Sequence, residues 1–353
     1  MRIGIPREIK TLEGRVVLIP AACAELVAQN HDVFIETSAG ELSGYSDDNY
    51  KAIGVTVLPD AASLYAKSEL IVKVKEPQPA EWDYLRADHL LFCFLHLAAI
   101  PKLTDALQKI GLTAIAFETV EVEGQLPLLI PMSMIAGRLA IQIGAHLLHQ
   151  PQGGAGILLG GLTASTRGNV VIIGAGTVGS QAADVASALG ANVIIFDKHW
   201  DRLANMHRLG QNVTALYPYH ETLREAVRDA DLLVGAVLNI GKRAPILVDE
   251  EMVRSMRSGS VIVDISVDQG GCIATTHPTT YAEPTYVYEG VTHFAVTNMP
   301  GAVPRTASQV LSTALLPYVM ALAVPNLADN TTLCAGINVQ GGKIVHPALM
   351  VNG

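Results

Sequence analysis

An α/β protein with two doubly wound domains is what this chain of 353 residues predicts, and three observations carry that expectation. The stretch from Val170 to Asp197 reads as a strand, a glycine turn, a helix and a second strand. From Arg2 to Phe117 the pattern alternates strand and helix by itself, with enough strands for a separate parallel sheet. Two long apolar-faced helical stretches, 131–149 and 306–323, flank the region between them. The first domain is therefore expected to be discontinuous, 1–127 with 304–353, with the second, 128–303, inserted and joined to it by those helices.

Along the chain, Arg2 to Ile5, Val33 to Glu36, Leu70 to Val74, Leu90 to Leu95 and Thr113 to Phe117 are apolar runs of strand length. Between them, helical patterns cover Ala21 to Gln29, Ala61 to Ala66 and Lys102 to Ile110. Met132, Ile135, Leu139, Ile143 and Leu147 share one face of the first long helix. Gly153 to Gly161 is glycine-rich but lacks a strand-to-helix setting, so it reads as a connecting loop. Past Asp197, strands are expected at Leu232 to Val237, Val261 to Ile265 and His293 to Val296, with helices near Leu223 to Ala230 and Glu250 to Met256. The loosely patterned tail from Asn326 should finish on the first domain.

Half of the residues are hydrophobic and 16% are charged, a balance that suits helices covering buried parallel sheets and excludes a disordered chain. A net charge of −9 without a basic run gives no footprint for nucleic acid or an anionic membrane, so small molecules are the expected partners. Pro317 interrupts the apolar run Leu311 to Val324 and His96 interrupts Leu90 to Ile100, so no membrane span is expected. The start of the chain has neither signal-peptide nor transit-segment layout, which points to the cytoplasm. Four cysteines without C-x-x-C spacing suggest neither a disulfide framework nor a metal site.

Gly174-Ala175-Gly176-Thr177-Val178-Gly179 turns the strand Val170 to Ile173 into a helix. The first glycine permits the tight turn, the second lets a pyrophosphate approach the backbone, and the third lets helix pack on strand. Such a motif recurs by chance, but here strand, helix and the acidic Asp197, eighteen positions past Gly179, all fall where a Rossmann-like dinucleotide site requires them. Asp197 can accept hydrogen bonds from ribose hydroxyls and would repel a 2′-phosphate, so NAD is expected rather than NADP. Lys198, His199 and Arg202 either soften that preference or stand solvated.

Arg15, Lys73 and Lys75 could gather positive charge for an anionic substrate, since Arg suits bidentate carboxylate recognition and Lys a point charge near a carbonyl oxygen. Each alone reads more readily as a solvated charge. Period-2 alternation sends Lys73 and Lys75 to one face of a strand that Pro77 ends. His96 and Asp268 each close a buried strand at its carboxyl end, where open α/β sheets bind ligands. They are proton-handling candidates, against a satisfied core histidine and a turn-capping aspartate.

Gly4-Ile5-Pro6-Arg7-Glu8-Ile9-Lys10, Lys73-Val74-Lys75-Glu76-Pro77, Phe94-Leu95-His96-Leu97, Asp268-Gln269-Gly270-Gly271-Cys272 and Asn298-Met299-Pro300-Gly301-Ala302-Val303-Pro304-Arg305-Thr306, with the Arg15 segment, resemble the alanine dehydrogenase family over nearly the whole chain. The resemblance implies a homohexameric, NAD-dependent and reversible oxidative deamination of L-alanine to pyruvate and ammonia, with no metal. It further implies that Arg15 and Lys75 hold the substrate carboxylate and carbonyl, that His96 and Asp268 serve acid–base chemistry, and that Asn298 lines the site. Ser133, Asp197, Arg202, Leu238 and Met299 would touch the dinucleotide, along with the turn Gly174, Gly176, Thr177, Val178 and Gly179. The nucleotide-binding part of proton-pumping transhydrogenase shares the fold and the early motifs, but Asp268 to Cys272 is closer to the dehydrogenase. Three alternatives stand beside this reading: a dehydrogenase for another small amino acid, a transhydrogenase-like component, and a catalytically weak sensor. Phe94 stands where the family usually has tyrosine, removing a hydroxyl near the pocket, and Met134 where it has glutamate.

Overall fold

The computed structural model describes residues 1–237, 244–324 and 327–350. It forms two compact units, Met1–Met132 with Gly301–Gly353, and Ser133–Pro300. In the first unit β1 (Arg2–Ile5), β2 (Asp32–Glu36), β3 (Thr56–Leu58), β4 (Leu70–Val72), β5 (Leu90–Cys93) and β6 (Thr113–Ala116) are parallel, in the order β3-β2-β1-β4-β5-β6. In the second, β7 (Asn169–Ile173), β8 (Asn192–Phe196), β9 (Val213–Leu216), β10 (Leu232–Gly235), β11 (Val261–Asp264), β12 (Thr285–Tyr288) and β13 (Val291–Phe294) lie as β12-β13-β11-β10-β7-β8-β9, with only β12 antiparallel. The C-terminal β14 (Ile337–Gln340) and β15 (Lys343–Ile344) extend the first sheet antiparallel beyond β6.

Both units are thus doubly wound, and in each the winding reverses beside the first strand, between β1 and β4 and between β7 and β10. Ligands of such sheets sit past the carboxyl strand ends at that reversal. The central strands are apolar on both faces because helices cover both; β10 and β11 are buried at every residue. Local chemistry sets the helix ends: Asp60 accepts the Ser63 amide at 2.7 Å to start Ala61–Lys67, and Gly111 closes Pro101–Ile110 in the left-handed conformation.

The structure departs from the sequence expectation in four places. β4 stops at Val72, because the amides of Val74 and Lys75 turn to the Glu8 carboxylate (2.6 and 3.3 Å) instead of continuing a ladder. Lys73 and Lys75 therefore do not share a strand face: Lys73 is fully buried and Lys75 partly exposed. The strand expected at His293 to Val296 is shifted to Val291–Phe294, where it forms a hairpin with Thr285–Tyr288 through Glu289 and Gly290, both at positive φ. Pro317 does not interrupt its run. It lies inside an unbroken helix, Pro304–Ala323, that is long and apolar enough to cross a membrane by length and composition alone. The missing N–H costs one intrahelical bond, but Leu311, Leu315, Val319 and Leu322 are buried. The hydroxyls of Ser308 and Ser312 also accept the amides of Val16 and Ile19 at 2.9 and 3.1 Å, so this helix is part of the first unit's core.

Candidate active site

In the first unit, the segments leaving β1, β4, β5 and β6 bring together charges that are far apart in sequence. Arg15 is 2% exposed, and Glu13 holds its guanidinium in a fork, Nε to Oε1 at 2.6 Å and Nη2 to Oε2 at 2.5 Å. Lys73 is enclosed with Glu81 at 2.9 Å and Glu8 at 3.5 Å, and Tyr65 donates to the same Glu81 at 2.9 Å. Burial works against the Lys73 ammonium, but Glu8 and Glu81 overcome it and hold its pKa above the ordinary lysine value. Burial pushes the Glu8 carboxyl up to about 7, with Lys73 opposing and Glu13 and Glu81 adding to the rise. Lys75 is lowered, first by burial and then by the neighbouring charges of Arg15 and Lys10. A set of cations close enough to depress one another is a place prepared for an anion. Beside Arg15, a cavity of about 400 Å³ is lined by Arg7, Glu8, Glu13, Arg15, Ser38 and Leu42.

His96 follows β5 with its backbone in the left-handed region, φ 50 and ψ 37, a conformation uncommon outside glycine. Its amide donates to Glu118 Oε1 at 2.6 Å, and its Nδ1 stands 4.0 Å from the same oxygen. Burial lowers the imidazole pKa; Glu118 and Glu76 oppose that, and Lys75 and Lys10 reinforce it. Phe94 is 3% exposed, its ring nearly parallel to the imidazole at 5.8 Å and edge-on to Phe117 at 5.0 Å. Phe94 thus packs directly against His96 from within the core.

In the second unit Gly174 has φ +100, and a Cβ on Gly179 would stand 1.7 Å from the Gly174 carbonyl oxygen. Only glycine fits either position. A Cβ on Gly176 would meet nothing nearer than 3.9 Å, leaving the backbone open at the start of the helix Thr177–Ala188, as a pyrophosphate requires. Asp197 is buried; its Oδ2 accepts the Ala175 amide at 2.8 Å and its Oδ1 the His199 amide at 2.8 Å. Arg202 approaches it at 3.4 Å, so this arginine is paired with Asp197 rather than only solvated. The helix Ile130–Leu147 packs onto the turn at Gly137, where a Cβ would meet the Val178 carbonyl at 2.2 Å; Ser133, four residues earlier, shares that face. These features fit a dinucleotide with its pyrophosphate on the turn and its ribose at Asp197.

Asp268 is exposed in the turn Ile265–Gln269, Asn298 is partly buried, and Met299 is buried with its carbonyl accepting the Tyr281 hydroxyl at 2.9 Å. Leu238 lies outside the described residues. Met134 is 37% exposed on the helix Ile130–Leu147. Arg15, Lys75 and His96 are thus gathered in one unit, and the glycine turn, Ser133, Asp197, Arg202, Asp268, Asn298 and Met299 belong to the other. The sequence reading missed Glu8, Glu13, Glu81 and Glu118, which hold the cations and the histidine; Glu118 carried the same signal as His96, a titratable group just past a buried strand. Among the described residues no group of three or more His, Cys, Asp and Glu side chains is arranged to hold a metal ion.

Family models described as the N-terminal and C-terminal domains of alanine dehydrogenase/PNT match residues 4–136 and 140–347. An alanine dehydrogenase of Halomonas elongata is 48% identical, covering 99% of this chain and 96% of its own. One of Bacillus subtilis is 47% identical, covering 99% and 94%. The solved structure of an L-alanine dehydrogenase superposes with a TM-score of 0.96 at 50% identity, covering 99% and 98%. A transhydrogenase of Sinorhizobium meliloti, at 24% identity and TM-score 0.85 over 99% and 100%, shares the fold.

Proposed function

The chain belongs to the alanine dehydrogenase/PNT family, and from that premise we propose that it is an enzyme catalysing the NAD-dependent oxidative deamination of L-alanine to pyruvate and ammonia, and the reverse. The observation that carries this reading is the convergence of Arg15, Lys75 and His96 past the carboxyl ends of β1, β4 and β5, beside the reversal of winding. The first unit takes the substrate and the second the dinucleotide. Bound NAD supplies the acceptor for the hydride that leaves Cα.

The residues of the chain do the rest. Arg15, held in its fork by Glu13, binds the alanine carboxylate, and Lys75 stabilises the negative charge that develops on the substrate oxygen. Its lowered pKa makes Lys75 a readier donor to that oxygen. The alanine ammonium first gives up a proton, so that the nitrogen lone pair forms the C=N bond as the hydride departs. Water then adds to the iminium carbon and loses a proton to give the carbinolamine. Collapse to the ketone moves one proton off the hydroxyl and another onto the leaving amine. A neutral imidazole suits the first kind of transfer, and burial favours that form of His96. Asp268 is the second carrier.

Two rival readings have less support. The likeness to the transhydrogenase is one of fold, and a dehydrogenase for another amino acid would lack the support of relatives named alanine dehydrogenase over nearly their full length. NADH formation with a panel of L-amino acids tests the proposal: L-alanine should be turned over fastest, and a bulkier or acidic amino acid in first place would overturn the substrate assignment. A homohexamer, implied by the family resemblance, completes the proposal, and light scattering of the purified chain tests the assembly.

A further inference from the structure

His96 occupies a backbone conformation that L-residues rarely adopt, and something must hold it there. The amides of Leu95 and His96, successive along the chain, point to one carboxylate and together form a small anion-binding nest. The chain fills that nest itself. Glu118, just past β6, accepts the His96 amide at 2.6 Å and the Leu95 amide at 3.1 and 3.2 Å through its two oxygens. β6 is hydrogen-bonded to β5 in register, Cys93 beside Ala116, which brings the two strand ends together. The oxygen that takes the His96 amide also faces its Nδ1 at 4.0 Å, while Phe94 stacks on the ring. The other charges facing His96 are Lys75, Lys10 and Glu76.

We propose that Glu118 is the positioning residue of His96, anchoring the left-handed backbone through two amides and setting a negative charge against Nδ1 that stabilises the imidazolium. Two cations and burial favour the neutral ring. Glu118 is the larger of two charges, with Glu76, that keep protonation within reach, so that one histidine can both accept and return a proton during a reversible deamination. The inference deepens the reading of His96 given above and rests on it only for its catalytic consequence.

Glu118→Gln separates the two tasks, since its amide oxygen can still accept from the nest while the charge is gone. Protonation of His96 is followed in the whole protein as the pH dependence of its acylation by diethyl pyrocarbonate, resolved by peptide mass spectrometry. The midpoint should fall by about one pH unit, the lower end of what an adjacent charge produces, with the melting temperature near that of the wild type. The acidic limb of kcat/KM for alanine oxidation should move down with it. An unmoved midpoint in the folded variant reduces Glu118 to a backbone anchor and overturns the proposal. Glu118→Ala gives a second test through rescue. Formate, a carboxylate small enough for the emptied nest, should raise the midpoint again with increasing concentration, and failure to do so counts against the proposal. Acylation needs no turnover, so a shifted midpoint in a protein that does not oxidise alanine would overturn the assigned reaction while leaving the role of Glu118 standing.

Discussion

The carboxyl end of β7 presents backbone, whereas the carboxyl ends of β1, β4, β5 and β6 present charged side chains. The first surface is made by sterics: Gly174 at φ +100, Gly179 against the Gly174 carbonyl, and Asp197 bound to the Ala175 amide. The second is made by balanced charge, with Arg15, Lys73 and Lys75 held among Glu8, Glu13 and Glu81. A steric site fails when one atom is added; a charged site fails when one partner is removed. The charged region should therefore be the one whose stability responds to pH.

The largest effect is expected on the charged side. Lys73→Met leaves Glu8 and Glu81 buried without their ammonium, and breaking such a group costs about 3–5 kcal/mol. Denaturant titration should show the loss, and a variant as stable as the wild type would mean that the cluster does not hold this unit together. On the steric side, Gly179→Ala must displace the Gly174 carbonyl, and overpacking of this kind costs roughly 1–3 kcal/mol. Its NADH affinity, measured by fluorescence titration, should fall with its stability. Wild-type affinity would show that the turn can give way.

Glu8 sharpens the contrast through pH. Its folded pKa, about 7, lies above the ordinary carboxyl value of 4.5. A raised pKa favours the folded state while the group is protonated, so that contribution is complete below 4.5 and is lost as pH rises through 7. Glu8→Gln, which cannot ionise, should therefore gain stability relative to the wild type across that window, by up to a few kcal/mol. A difference in melting temperature that stays constant from pH 4.5 to pH 8 would contradict the buried, proton-linked Glu8. The smallest effect is expected at Asp197. Asp197→Ala removes the repulsion of a 2′-phosphate and frees Arg202, narrowing the NAD over NADP preference in kcat/KM by about tenfold, or roughly 1.4 kcal/mol. An unchanged ratio would place the preference elsewhere.

The steric side was legible in the sequence because its requirements are local. Three glycines within six residues and an acid eighteen positions later record the turn, the helix and the ribose position without reference to the rest of the chain. The alternating strands of the first unit were legible for the same reason, although the short strands Thr56–Leu58, Val213–Leu216 and Lys343–Ile344 were too brief to show a period. Lys73 and Lys75 could be picked out as cations, but nothing in their spacing reveals that one is sealed in and the other is not. That depends on Glu8, more than sixty residues away, taking the amides of Val74 and Lys75. Glu118 clamps Leu95 and His96 from over twenty residues further on, a relation created by the pairing of β5 with β6.

The division of labour between the two units is tested most directly on His96→Ala, by measuring its NADH dissociation constant and its single-turnover rate of hydride transfer from alanine. If His96 of the first unit carries a proton transfer and the second unit holds the dinucleotide, the rate should fall by roughly 10²–10⁴-fold, the usual contribution of a positioned acid or base, while the dissociation constant stays at its wild-type value. Near-normal turnover in the folded variant, or a loss of NADH affinity that accounts for the whole drop, would contradict it.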